Sequence, residues 1–199
     1  MRARAHLLLV ALAGTLLFVF AMLPEARGSV SIAVTWDRLL GQSTASAVVM
    51  PIEAQSIWEE GRIYTYTRVR VDRAVAGELN DGSETWVRTM GGVVDKIGQL
   101  VDGEAVLEPG RPSLLFVHAG PARAVEVTAR GQGQFPLVTE EHTARPRIVR
   151  NGAVGALLAP HVRVSSASTR LAADVLHGRY VDDVAGEIAA DWSRTHARP

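Results

Sequence analysis

The stretch Trp86-Val-Arg-Thr-Met-Gly-Gly-Val-Val-Asp-Lys-Ile-Gly-Gln-Leu-Val-Asp-Gly-Glu-Ala-Val-Leu-Glu-Pro-Gly-Arg-Pro-Ser-Leu-Leu-Phe116 decides the fold class. It holds two strand-like runs, Thr85–Met90 and Ser113–Val117, joined by a connection with five glycines: Gly91, Gly92, Gly98, Gly103 and Gly110. Glycine reaches positive φ without a Cβ penalty, so this density predicts a tightly shaped loop. Glu108-Pro109-Gly110-Arg111 has proline and glycine at the second and third positions of a type II turn. Ser113–Val117 is almost wholly apolar, which predicts a central strand buried on both faces.

Upstream lies the clearest alternation in the chain. Ile63, Thr65, Thr67, Val69 and Val71 interleave with Tyr64, Tyr66, Arg68 and Arg70. Period two with β-branched residues on one side predicts a strand whose Ile63/Val69/Val71 side faces inward. Tyr64, Tyr66, Arg68 and Arg70 are then the candidate binding face. The competing reading is a solvated sheet face with its side chains paired across strands. Glu59–Arg62 is a turn, and Ala47–Ala54 is the first strand, where Pro51 implies an edge or a bulge. Ala76–Gly82 is a polar hairpin connection. Ala124–Ala129 follows the central strand as its hairpin partner with Val125 and Val127 inward, and Arg147–Arg150 is a last short strand.

Helical patterns flank this β region. Trp36, Leu39 and Leu40 share a face behind Thr35, a suitable N-cap. Ser168 is expected to cap a helix over Thr169–Leu176 that Gly178 ends. Val181, Val184, Ala185, Ile188, Ala189 and Trp192 form one stripe of an amphipathic helix, expected to dock on the barrel.

Met1–His6 is basic, residues 7–23 are apolar and uncharged, and Ala26 and Gly28 precede a possible cut. This is a signal peptide cleaved near Gly28–Ser29, with periplasmic or extracellular delivery; an uncleaved membrane anchor through residues 7–23 is the alternative. The expected organisation is signal peptide 1–28, β-barrel 29–150, linker 151–167, and a helical segment 168–199 packed on the barrel. The fold expected is mainly β: a small antiparallel OB-like barrel or curled sheet of five to six strands, with a short N-terminal helix and a C-terminal amphipathic helix.

Bulk composition narrows function. The chain has 199 residues, zero formal net charge, no cysteine, and Lys96 as its only lysine. The neutral balance argues against nucleic acid as a partner, because backbone binding calls for a basic excess. Without cysteine there are no disulfides, thiolate metal sites, cysteine nucleophiles or lipid attachment through a lipobox. His118, His142, His161, His177 and His196 are isolated, with no zinc-type pair. There is no Gly-x-Ser-x-Gly elbow. Gly131-x-Gly133 lacks the third glycine and lysine of a phosphate cradle. No cofactor, metal or catalytic residue is therefore assigned. A hydrolase with an unrecognised site near Asp95, Asp102 and His118 is the alternative reading.

The run Gly61-Arg62-Ile63-Tyr64-Thr65, then Gly91-Gly92, Ile97-Gly98-Gln99, Gly103, Pro109-Gly110, Leu114-Leu115-Phe116 and Gly131-Gln132-Gly133-Gln134-Phe135, resembles a family of uncharacterised bacterial exported proteins. The similarity spans Ala47 to Val138. It implies a small β-barrel of the five-stranded OB type, without enzymatic activity, in a family some of whose members are encoded near secreted metalloproteases; the expected partner is an unknown protein or envelope component, a secreted metalloprotease being the special case. The chain departs from that pattern at Met50-Pro51, where the family's first strand ends in Gly-Thr. Animal metalloprotease inhibitors of OB type depend on an N-terminal cysteine, so their mechanism does not carry over.

Overall fold

The computed structural model describes residues 30–140, 143–158 and 170–197. The expected signal peptide, most of the expected linker and the Ser168 cap lie outside them. No helix among the described residues is long and apolar enough to cross a membrane.

The chain enters through β1 (Val30–Ile32) and turns into α1 (Trp36–Gln42). Thr35 caps α1 as its pattern predicts: its Oγ1 accepts from the Arg38 N–H at 3.3 Å. Two long strands follow, β2 (Ala45–Glu59) and β3 (Arg62–Gly77), joined by Glu60 and Gly61. Both turn residues have positive φ, 50° and 77°, which suits the twist of a two-residue hairpin. The β2–β3 register shifts between Pro51 and Glu53, so Pro51 does fall at a bulge. Its carbonyl accepts from the Gly110 N–H at 2.9 Å.

Next come β4 (Glu84–Met90), a small hairpin of β5 (Gly92–Val94) and β6 (Ile97–Gln99), then β7 (Ser113–Ala119) and β8 (Val125–Val127). These strands close a ring in the order β7-β2-β3-β4-β8 and back to β7. The fold is thus mainly β around a closed five-stranded barrel of OB-type strand order. Its one parallel pair, β4 with β8, completes the closure through Val87 opposite Val125.

Beyond the ring, β9 (Gln134–Thr139) pairs with the start of β7, and β10 (Pro146–Ile148) pairs with β9. β11 (Ala156–Leu158) runs parallel to β1, and the neighbouring Asn151 and Val154 are buried. α2 (Ala172–Leu176) and α3 (Val181–His196) end the described chain.

β7 explains the architecture. Leu115 and Val117 point into the barrel with Ala47, Val49, Val69, Val71, Val87 and Val127. Leu114 and Phe116 point the other way, onto Trp36, Leu39, Phe135, Leu176, Ile188 and Trp192. A strand covered on both sides reads as an unbroken apolar run, which is why Ser113–Val117 lacks alternation. The second layer is aromatic: Phe116 meets Trp36 edge-on at 5.7 Å and Phe135 at 6.1 Å. α3 contributes Val181, Val184, Ala185, Ile188 and Trp192 of the stripe read from sequence, while its sixth member, Ala189, is half-buried. Burying Ile188 and Trp192 supplies about 1.5–3 kcal/mol each. Asp191 is buried between them, and its Oδ2 accepts from Trp36 Nε1 at 2.7 Å, tying α3 to α1.

Candidate functional site

The site follows from the register of β3. Its inward residues Ile63, Thr67, Val69 and Val71 are buried, so Tyr64, Tyr66, Arg68 and Arg70 face outward. Across β4 they stand opposite Met90, Arg88, Trp86 and Glu84 in turn. Across β2, Ile57, Gln55 and Glu53 stand opposite Tyr64, Tyr66 and Arg68. On the far side Arg88 is opposite Glu126 of β8, and Glu126 is opposite His118 of β7.

The charges on this face are tied to one another. Arg68 bridges Glu53 at 2.8 Å and Glu84 at 2.7 Å, and these carboxylates raise its pKa further above its ordinary value. Arg70 pairs with Asp72 at 2.7 Å, with the same effect. The Tyr66 hydroxyl donates to Glu59 Oε2 at 2.9 Å. That bond and the Arg88 guanidinium hold Glu59 below the usual carboxylate range. Burial, then the Glu59 carboxylate, pushes the Tyr66 phenol up. Arg88 is the centre: it reaches Glu126 at 2.5 Å and Glu59 at 2.9 Å, and lies 3.4 Å over the Tyr64 ring. Burial alone would depress Arg88, but the carboxylates of Glu126 and Glu59 outweigh it and keep it charged.

All four residues read from sequence thus lie on one face. Pairing across strands, the competing reading, accounts for how Tyr66 and Arg68 are held, and Arg70 pairs along its own strand. What the face leaves uncommitted is apolar. A groove of about 360 Å³ runs across the strands, lined by Gln55, Ile57, Tyr66, Trp86, Ala122 and Ala124. Ile57 and Trp86 are each 38% exposed. One wall is the β7–β8 turn, where Ala122 and Arg123 hold consecutive left-handed conformations at φ 50° and 64°. Trp86 and Arg88 were missed in sequence, although Glu84, Trp86, Arg88 and Met90 alternate with Thr85, Val87 and Thr89 as the β3 residues do.

Beside the groove, a cleft of about 340 Å³ is lined by Tyr64, Arg88, Glu104, His118, Glu126 and Arg130 among others. Glu104 is 9% exposed, and burial raises its pKa against the pull of the Ala105 N–H and Arg130. His118 Nδ1 lies 3.3 Å from Thr128 Oγ1, and its Nε2 is 3.6 Å from Glu126. Asp95 sits at the β5–β6 turn with φ 54°, and Asp102 lies in the turn after β6. Among the described residues no hydrogen bond or ion pair joins either aspartate to His118, and no three His, Asp or Glu side chains gather as a metal would need.

The glycine connection folds the β5–β6 hairpin back under the inner side of the β2–β3 arm. Gly92 has φ 132°, and a Cβ there would lie 2.3 Å from both Ser56 Oγ and Thr65 Oγ1. Gly91, Gly103 and Gly110 also have positive φ. Gly98 does not: a Cβ there would meet Val93 at an ordinary 3.8 Å, so it does not shape the loop.

No protein-family model matches the chain, and no curated protein or solved structure is significantly similar to it.

Proposed function

We propose that this chain is an exported, non-catalytic β-barrel that binds an extracytoplasmic protein through the outward face of β2, β3 and β4. The observation that carries the reading is the groove between Ile57, Tyr66, Trp86 and the β7–β8 turn. Half-exposed aromatic and aliphatic side chains stand there in a frame of internally neutralised charges. An interface centre has that composition: aromatic anchors inside, satisfied polar groups around them. In five-stranded barrels of this order, the corresponding strands and loops are the usual ligand-bearing surface. A secreted protease or another envelope protein is the partner class, in line with the export signal and the family resemblance.

The test is a pull-down with the exported protein from the producing cell's envelope and secretome, read by mass spectrometry, in parallel with Tyr66→Ala/Trp86→Ala. Recovery of one discrete protein by the wild type alone supports the reading. Equal recovery by both, or recovery of nothing, refutes it. The hydrolytic alternative keeps His118, which shares a cleft with Glu104, whereas Asp95 and Asp102 stand elsewhere in the glycine connection.

A further inference from the structure

The cleft beside the groove keeps one cation and one carboxyl unspent. Arg88 on its wall is already held by Glu59 and Glu126. Arg130 differs. Among the described residues its only ion pair is with Glu104, and the 3.8 Å from its Nε to Glu104 Oε2 is too long for a hydrogen bond. Glu104 is buried, and among the described residues its carboxyl accepts only from the N–H of its neighbour Ala105, at 3.0 Å. Burial pushes that carboxyl up, which marks an acid whose counter-charge is insufficient. The backbone is strained where it presents Arg130: Ala129 and Arg130 hold consecutive left-handed conformations at φ 56° and 55°, which neither Cβ favours. Met90, Val127 and Ala129 add an apolar wall.

We propose that this cleft binds a free α-amino acid with an apolar side chain, its carboxylate on Arg130 and its ammonium on Glu104. The two unspent groups have opposite signs, so a ligand that satisfies both carries both charges. Their spacing selects the class. In an α-amino acid the ammonium nitrogen and a carboxylate oxygen are about 3 Å apart, set by three bonds, which matches the 3.8 Å between Arg130 Nε and Glu104 Oε2. Each further residue in an extended peptide separates its termini by about 3.3–3.6 Å more, and one of the two protein groups would then go unanswered. The cleft of about 340 Å³ lies at the small end of the range for small-molecule sites. Met90, Val127 and Ala129 take the ligand's side chain, and its ammonium supplies the counter-charge that Glu104 lacks. This inference does not depend on what the outward groove binds.

The test is calorimetric titration of the exported protein at neutral pH with leucine, valine and methionine in turn, followed by two derivatives of the tightest binder. The N-acetyl derivative has lost the ammonium and the amide has lost the carboxylate. Each should bind about tenfold more weakly or worse, the factor a charge-assisted hydrogen bond contributes. Arg130→Ala and Glu104→Gln should each weaken the parent amino acid by a similar factor with unchanged circular dichroism. Arg111→Ala, at an exposed arginine outside the cleft, should bind as wild type does. Binding of none of the three amino acids would overturn the inference. So would equal binding of either derivative, or an affinity that survives Arg130→Ala or Glu104→Gln.

Discussion

Replacing Gly92 by alanine adds one methyl group where the loop meets the barrel. Two costs arise. At φ 132° the backbone is in a region open essentially to glycine alone, and alanine there costs about 1–3 kcal/mol. The new Cβ would also lie 2.3 Å from Ser56 Oγ and Thr65 Oγ1, which are hydrogen-bonded to each other at 2.9 Å. The Thr65 hydroxyl further donates to the Gly91 carbonyl at 2.6 Å. One of these bonds must break, for about 1 kcal/mol more. The expected loss is about 2–4 kcal/mol, or about 4–16 °C in Tm for a chain of this size. Two companions separate the terms. Gly82→Ala, at φ 74° in open space, should lose only the backbone cost of about 1–2 kcal/mol. Gly98→Ala, at ordinary φ with its nearest contact at 3.8 Å, should stay within about 0.5 kcal/mol of wild type. Urea denaturation of the three variants reads the series. Equal effects of Gly92→Ala and Gly98→Ala would refute the loop geometry.

Two further predictions concern buried polar groups. Asp191→Ala leaves the Trp36 indole N–H buried without its acceptor and should cost about 1–3 kcal/mol in urea, against almost nothing for Asp174→Ala at an exposed helix position; equal effects of the two would remove the α1–α3 tie from the account. Glu104 supplies a pH dependence of known sign. Its folded pKa lies above the 4.5 of the free side chain, so the folded state holds the proton more tightly, and its contribution to stability falls as pH rises from about 4.5 through the raised value. Glu104→Gln should therefore be more stable than wild type at neutral pH, with the advantage vanishing in acid, as read from urea midpoints between about pH 4 and 8. A constant difference across that range would refute the burial argument.

How far the sequence disclosed the structure depended on how many faces each segment buries. β3 was legible because one side lies in the barrel and the other in water, so Ile63, Val69 and Val71 alternate with Tyr and Arg. β7 was legible for the opposite reason, being apolar on both sides. The outer half of β2 was not. Gln55–Trp58 leaves the barrel with its outer face and one edge exposed, and on its inner face the β5–β6 hairpin half-covers only Ser56, so no burial pattern marks it as strand. The β5–β6 hairpin is three residues on each side and buries little, so the glycines concealed it as loop. Asp191, beside the apolar stripe, was not legible as a buried residue because its partner, Trp36, is 155 residues away. Within the site, Tyr64, Tyr66, Arg68 and Arg70 were legible as a face. Arg88, which holds that face together, was not, because only the β3–β4 and β4–β8 registers place it between Glu59, Glu126 and Tyr64.

The most direct test of the central claim is site-specific photocross-linking in the producing cell. A photoreactive side chain replaces Trp86 in the groove, and in a second strain it replaces Val138, 49% exposed on β9. The account expects one discrete adduct from position 86, with a mass other than that of two chains, and none from position 138. The same adducts from both positions, or none from position 86, would contradict the assignment of this face as the binding surface.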